Sequence, residues 1–200
     1  MYTPNKSIID NDKIKLFVEL KNILKDQPKF FDVATGYVNV SGFELIFQEL
    51  KRVGKFRLLL GHSPSIESDL KPDLFNPKEF YKTQFKKDLE EEDFSEKKSK
   101  VVKDLIEFLK KDNVEVRILE KPFLHGKAYI FKNIAIIGSS NLTYSGLSAN
   151  TELNAVLIDP HPIYLKKEWF EKFWQQAADF KNELIEILYR SKLGLKEYTP

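Results

Sequence analysis

Residues 124–152 constrain the fold of this chain more than any other stretch of its sequence. Apolar residues alternate with others on either side of Lys132 and Asn133. The alternating positions are Ala128, Ile130, Ile134 and Ile136. This period of two predicts two short strands joined by a tight turn. Because side chains two positions apart on a strand share a face, His125 and Lys127 are expected to point in the same direction.

A short polar loop at residues 138–141, with the sequence Gly-Ser-Ser-Asn, follows the second predicted strand. Its small residues let a ligand approach the backbone, and Asn141 adds an amide NH2 donor. An imidazole, an ammonium and an amide are typical of a site for a phosphoryl group. Lys127 and Asn141 would bind the non-bridging oxygens, while His125 attacks phosphorus or transfers a proton. Glu152 would accept a hydrogen bond from the imidazole and fix its tautomer.

The composition excludes several other classes of protein. With 200 residues, 42% of them hydrophobic, the chain is long enough for one domain with a sizeable core. It has no cysteine, and His62, His125 and His161 are too scattered for a zinc site, so we expect no metal and no cofactor. No apolar run reaches the roughly 18 residues of a membrane span, and no signal-peptide pattern is present. We therefore expect a cytoplasmic protein with no membrane segment.

Alternating strand and helix patterns predict an α/β fold, a single domain with a mixed sheet flanked by helices. Further strands are predicted at residues 30–38, 56–60, 114–118 and 153–158. Helices are predicted at residues 12–25, 43–52, 77–89, 101–110 and 162–189. The expected N-caps of the first three helices are Asn11 or Asp12, Ser41 and Asn76.

Two stretches are expected to be structural rather than functional. The aromatic residues within 162–189 recur at helical spacing, which is more typical of a core than of a ligand site. The charged run at residues 90–93 is expected to form a solvated face inside the largely polar stretch 62–99. A net charge of +2 means that any nucleic-acid-binding surface must be local.

The spacing of the site residues resembles the HKD motif of the phospholipase D superfamily. That motif combines His-x-Lys, Gly-Ser-x-Asn and a downstream Glu, found here at His125 and Lys127, at residues 138–141 and at Glu152. The sequence departs from the motif because Lys132 replaces the usual Asp and the Gly-Ser-x-Asn element comes about one residue early. The resemblance implies a phospholipase-D-like fold with a single motif in each chain.

A longer resemblance covers residues 31–180. The segments ATGYVNVSGFELI, KFRLLLG, LHGKAYIF, GSSNLT and WFEKFW are similar, in this order, to the domain that precedes the helicase core in bacterial DEAD/DEAH-type helicases and some restriction-type proteins. In such proteins Thr-Pro often opens the segment leading to the helicase, and this chain ends with Thr199 and Pro200. The resemblance implies a nuclease domain at residues 1–188 and a C-terminal tail at 189–200, a candidate linker to a helicase core.

These resemblances imply a metal-independent phosphodiesterase that hydrolyses DNA through a phosphohistidine intermediate. The implied catalytic residues are His125, Lys127, Asn141 and Glu152. The implied substrate-binding residues are Ser139, Ser140 and Tyr37. The chemistry needs two histidines and the chain carries one motif, so we expect a homodimer to complete the site. The family context points to defence against foreign DNA.

Three other functions are compatible with the same residues. The first is a catalytically inactive DNA-binding module that guides a helicase. The second is a lipid phosphodiesterase, and the third is a protein-docking domain with a vestigial site. The largely intact motif argues against the first, and the lack of a membrane-seeking stretch argues against the second. A nuclease assay in the presence of a chelator distinguishes the main hypothesis from all three.

Overall fold

The structure of the chain, a computed structural model, describes residues 7–61 and 76–195. Its strands are β1 (Ile8–Ile9), β2 (Phe31–Thr35), β3 (Phe56–Leu60), β4 (Val114–Ile118), β5 (Lys127–Ile130), β6 (Ile134–Gly138), β7 (Asn154–Ile158) and β8 (Ala178–Asp179). They form one sheet in the order β1-β7-β6-β5-β2-β3-β4-β8. Strands β2, β3 and β4 are parallel, and the remaining pairs are antiparallel. The predicted α/β fold with a mixed sheet is confirmed.

Helices cover both faces of this sheet. They are α1 (Leu16–Lys25), α2 (Val40–Leu50), α3 (Pro77–Glu91), α4 (Glu96–Leu109), α5 (His161–Tyr164), α6 (Glu171–Gln176), α7 (Lys181–Arg190) and α8 (Lys192–Leu195). Two π-helical turns are present, at Ser145–Ala149 and at Leu165–Phe170. The second turn joins α5 to α6, and we call the resulting run, residues 161–176, the back-face helix.

Alternate residues of each strand point to opposite faces of the sheet. Val33, Leu58 and Tyr129 lie on what we call the front face, in the large core formed with α1, α2, α4 and α7. Ala34 and Ala128 lie on the back face, in a smaller core that the back-face helix covers. The molecule therefore has one thick layer of helices in front of the sheet and a single helical run behind it.

The starts of α1, α2 and α4 differ from the sequence prediction, and in α2 and α4 a polar residue caps an earlier position. Helix α2 starts at Val40 because Asn39, rather than Ser41, accepts a hydrogen bond from the backbone N–H of Gly42. In the same way Ser95 caps α4, which starts at Glu96, five residues before the predicted start. The predicted cap Asn76 is confirmed, since its Oδ1 accepts from the N–H of Glu79 at 3.1 Å. Helix α1 begins at Leu16, later than predicted.

The prediction of one helix over residues 162–189 is wrong. The helical run stops at Gln176, Ala178–Asp179 pairs with the edge of β4 as strand β8, and α7 then begins at Lys181. This short strand satisfies backbone groups of β4 that would otherwise be unpaired at the edge of the sheet. The prediction that the aromatic residues form core is confirmed for Phe170 and Trp174, which are buried.

A cluster of four charged residues fastens the back-face helix to the sheet. Asp32 on β2 is fully buried, accepts 2.7 Å hydrogen bonds from Nε and Nη2 of Arg57 on β3, and lies 2.8 Å from Nζ of Lys166. The same guanidinium donates to Glu171 at 2.7 and 3.1 Å. We call these residues the back-face ion cluster. Removing Arg57 would take from the fully buried Asp32 carboxylate its bidentate partner, and breaking a buried ion pair in this way typically costs about 3–5 kcal/mol.

Some of the predictions fall on residues that the structure does not describe. These are the stretch 62–75, which contains His62, and the final Thr199 and Pro200. In the charged run at 90–93, Glu92 pairs with Lys98, as a partly buried ion pair rather than a fully solvated face. Among the residues that the structure describes, no helix is long and apolar enough to cross a membrane.

Candidate active site

Four strand ends meet at one edge of the sheet. β2 ends at Thr35, β5 begins at Lys127, β6 ends at Gly138 and β7 begins at Asn154. The strand register places Lys127 opposite Gly138, and Gly138 opposite Asn154. The loops that carry the predicted catalytic residues all leave the sheet at this edge, so the structure brings those residues into one region.

His125 lies two residues before β5 and is exposed to solvent. Its ring stacks on that of Phe123, with centroids 5.6 Å apart and planes inclined by 20°. Partial burial, together with the positive charge of Lys127, lowers the pKa of His125 below its ordinary value of 6.5. The neutral imidazole is the nucleophilic form, so this shift favours the reactive state of His125 near neutral pH.

Lys127 is the buried cation of the site. Its side chain points to the front face, and its Nζ donates a 2.7 Å hydrogen bond to the backbone oxygen of His125. Burial lowers the pKa of Lys127, while the nearby Glu152 carboxylate raises it. An ammonium has three donors and this bond uses one of them, so Lys127 keeps donors for an anionic ligand.

Asn141 is tied to the end of β2. Its Oδ1 accepts hydrogen bonds from the backbone N–H of Gly36 at 3.1 Å and of Tyr37 at 3.3 Å, and lies 3.0 Å from Oγ1 of Thr35. These contacts orient the amide and leave its NH2 group without a hydrogen-bond partner among the described residues. Asn141 therefore combines a structural carbonyl with a donor that suits a phosphoryl oxygen.

Glu152 contacts the polar loop rather than His125. Its carboxylate accepts hydrogen bonds from Oγ of Ser139 and, at 3.5 Å, from Nδ2 of Asn150. Ser139 also accepts a 3.0 Å hydrogen bond from the backbone N–H of Leu153. The predicted bond from Glu152 to its own His125 is thus replaced by a bond to Ser139, because Glu152 precedes β7 and lies over the loop. Its negative charge acts on Lys127 instead.

Two predicted substrate-binding residues have structural contacts instead. Ser140 is fully buried, and its Oγ accepts a 2.9 Å hydrogen bond from Nδ2 of Asn154 while its carbonyl accepts from the hydroxyl of Tyr129 at 2.9 Å. The hydroxyl of Tyr37 donates to Asp88 at 2.6 Å. Burial, together with that carboxylate, raises the pKa of Tyr37 far above its ordinary value. The hydroxyl groups of both side chains thus have hydrogen-bond partners within the fold.

A family model for the PLD-like domain of cardiolipin synthase matches residues 21–174. This span contains strands β2 to β7 and every predicted site residue. The chain belongs to the PLD-like family. A comparison with curated protein sequences finds no match.

Solved structures share the fold of this PLD-like domain. NucT from Helicobacter pylori superposes with a TM-score of 0.55 and 15% identity, over 87% of this chain and 98% of that one. Nuc from Salmonella typhimurium, described as a phospholipase D family member, gives 0.53 and 11%, over 86% and 95%. Phosphatidylserine synthase from Haemophilus influenzae Rd KW20 gives 0.53 and 13%, over 92% of this chain and 42% of that one.

Three residues around the site of this PLD-like domain escape sequence reasoning. Thr35 places its Oγ1 near Asn141 and accepts a 3.2 Å hydrogen bond from the backbone N–H of Leu142. Phe123 stacks on His125, and the indole of Trp169 lies against the backbone next to His125. In the sequence, Thr35 lies in a predicted strand, Phe123 precedes the motif and Trp169 opens the WFEKFW segment, but none of these positions indicates a contact with the site.

Proposed function

We propose that this PLD-like domain is a phosphodiesterase that hydrolyses DNA without a metal ion, through a phosphohistidine intermediate. The convergence of three groups carries the proposal: an imidazole of lowered pKa, a buried ammonium and an oriented amide at one edge of the sheet. Membership of the PLD-like family supports phosphodiester chemistry. The choice of DNA rests on the resemblance to domains that precede helicase cores.

Each step of the proposed reaction assigns a task to a residue of this site. A neutral imidazole nitrogen of His125 attacks phosphorus, so that a P–N bond forms while the P–O bond to the leaving group breaks. The leaving oxygen takes a proton from a second, protonated imidazole. That imidazole then removes a proton from water, whose oxygen attacks phosphorus and breaks the P–N bond. Lys127 and Asn141 stabilise the non-bridging oxygens in both transition states.

The second imidazole comes from a second copy of the chain. His161, the other histidine among the described residues, follows the far end of β7 and so lies at the opposite edge of the sheet from His125. A twofold axis passing near His125 would bring two copies of this residue together.

Light scattering is expected to give twice the mass of one chain. Mixing wild-type chain with a large excess of His125→Ala, under conditions of subunit exchange, should abolish activity per wild-type chain, because most sites then hold one imidazole. Unchanged activity in the mixture, or an active monomer, would contradict the dimer.

Cleavage is expected to be insensitive to chelation, because an ammonium and an amide supply the charge stabilisation at this site. The measurement is the initial rate on single-stranded DNA, double-stranded DNA and bis(p-nitrophenyl) phosphate, with EDTA and with Mg²⁺. Equal rates in both conditions support the proposal. Activity that disappears in EDTA and returns with Mg²⁺ would show that the site is misinterpreted. DNA binding without cleavage would favour an inactive targeting module.

Glu152→Gln is expected to move the alkaline limit of activity to lower pH. The carboxylate raises the pKa of Lys127, so its removal lowers that pKa, and the ammonium is lost at a lower pH than in the wild type. At the optimum we expect a rate loss on the order of tenfold, equivalent to about 1.4 kcal/mol. The measurement is the pH profile of kcat, with Glu107→Gln as a charge-matched control far from Lys127. An unchanged profile would show that Glu152 only supports the loop.

We further propose that the domain operates beside a helicase core in a longer polypeptide, with a role in defence against foreign DNA. In this arrangement the C-terminal tail, residues 189–200, is a linker, and its first residues pack on the domain. Nζ of Lys192 donates to the backbone oxygen of Glu90 at 2.6 Å, and Leu193 is buried. A DNA-stimulated helicase activity in the full-length polypeptide is the test of this arrangement.

A further inference from the structure

We propose that Trp169 is a positioning residue for His125 and Lys127, because its indole ring supports from the back face the backbone that carries both side chains. This inference rests on the proposed function, since it concerns the reaction assigned to these two residues. Trp169 belongs to the back-face helix, whereas the Lys127 side chain points to the front face of the sheet. The effect of Trp169 must therefore pass through Gly126, the residue between His125 and Lys127.

Gly126 shows how closely the indole ring approaches this backbone. A Cβ added at Gly126 would lie 2.8 Å from Cζ2 and 3.1 Å from Cη2 of Trp169, whereas carbon atoms normally pack at roughly 3.5–4.0 Å. No glycine in the described part of the chain has a positive φ, so the backbone conformation at Gly126 is open to any residue. The ring, rather than the backbone, is what requires a glycine at this position.

The indole ring of Trp169 is held in place by a neighbouring aromatic ring and by ion pairs of the back-face helix. It packs edge-on against Phe173, with centroids 5.5 Å apart and planes at 72°, and both rings are partly buried against the back-face core. Lys166 and Glu171 flank Trp169 in the sequence, and both belong to the back-face ion cluster that ties the helix to β2 and β3. The indole is thus fixed relative to the central strands of the sheet.

A fixed support at Gly126 sets the position of both catalytic groups together. Nζ of Lys127 is bonded to the backbone oxygen of His125, so a shift of the intervening residue moves the imidazole and the ammonium at the same time. A misplacement of about 1 Å in catalytic groups can reduce a rate by about a hundredfold. The back-face helix therefore contributes to catalysis without contacting the substrate.

The test is a double-mutant cycle of Gly126→Ala and Trp169→Ala, with kcat and KM measured on bis(p-nitrophenyl) phosphate. Gly126→Ala alone is expected to lower kcat about a hundredfold, because the new methyl group pushes the backbone away from the ring. Trp169→Ala is expected to cause a smaller loss. In the double variant the methyl group occupies space that the indole has left, so its kcat should be no lower than that of Trp169→Ala. Losses that simply multiply would overturn the proposal.

A second readout does not depend on turnover. The titration of the His125 imidazole is followed by proton NMR. Its signal is assigned as the one that is missing from the spectrum of His125→Ala. Trp169→Ala is expected to raise the pKa of His125 towards 6.5, because the loosened segment admits water and separates the ring from Lys127, the charged group facing it. Tyr164→Ala, which removes an exposed ring from the same back-face helix, should leave this titration unchanged.

These measurements separate the positioning role from the proposed reaction. If the wild-type protein had no phosphodiesterase activity, the proposed function would be wrong. The titration of His125 in Trp169→Ala would still test the role of Trp169. An unchanged titration of His125 in Trp169→Ala would overturn that role even where activity falls. If Trp169→Ala does not fold, Trp169→Leu takes its place in the cycle, since it keeps apolar volume and still vacates the position of Cζ2.

Discussion

His125→Ala is expected to lower turnover by at least about 10⁴-fold, as loss of a nucleophile does in other enzymes that form covalent intermediates. The variant cannot form the P–N bond. In the proposed dimer it also removes the second imidazole, because both come from the same position. His125 is exposed and its side chain lies outside the core, so the thermal stability of the variant should match that of the wild type.

The measurement is the initial rate on DNA together with the melting temperature. His161→Ala is the matched control, since it removes an exposed histidine at the opposite edge of the sheet and should leave the rate unchanged. In the wild type, the acid limb of kcat/KM should lie below pH 6.5, because the lowered pKa of His125 keeps the imidazole neutral to lower pH. Substantial activity in His125→Ala would show that another group attacks phosphorus.

Local patterns predict most of the sheet. The predicted bounds of β3 and β4 are the observed ones, Phe56–Leu60 and Val114–Ile118, because apolar side chains fill the front face of both strands. The hairpin of β5 and β6 also follows directly from its alternation. Strand patterns are informative here because the front face of the sheet packs against the large helical core, so that alternate residues of these strands must be apolar.

The site is less predictable, because the roles of neighbouring residues depend on distant partners. Ser139 and Ser140 are identical in the sequence, but one lies at the surface against Glu152 and the other is buried against Asn154. That difference depends on where β7 is placed beside β6. The hydroxyl of Tyr37 is likewise satisfied by Asp88, a residue of α3 that is remote in the chain.

The secondary structure of residues 162–189 also depends on distant partners, so local pattern alone does not predict it. Apolar spacing around residues 177–180 is compatible with a continuous helix, but the edge of β4 lies within reach and takes Ala178–Asp179 as a strand. Trp169 is predicted as core from its spacing, but its contact with Gly126 depends on how the back-face helix crosses the sheet. Tertiary contacts thus override local pattern at both places.

Asn141→Asp and Asn141→Ala are expected to impair the protein for different reasons. The amide has a structural role as well as a chemical one, because Oδ1 of Asn141 accepts hydrogen bonds from the N–H groups of Gly36 and Tyr37. Alanine leaves these donors unsatisfied, which typically costs about 1–3 kcal/mol. We therefore expect Asn141→Ala to lower both the melting temperature and the turnover.

Asn141→Asp isolates the chemical role of the amide. The carboxylate retains an oxygen to accept from Gly36 and Tyr37, so the melting temperature should stay close to that of the wild type. It lacks the NH2 donor and places a negative charge beside the phosphoryl oxygens, so turnover should fall at least about a hundredfold. Thermal unfolding and kcat, measured on both variants, separate the two effects. Full turnover in Asn141→Asp would show that the NH2 group does not bind the substrate and that Asn141 serves only to anchor the loop to β2.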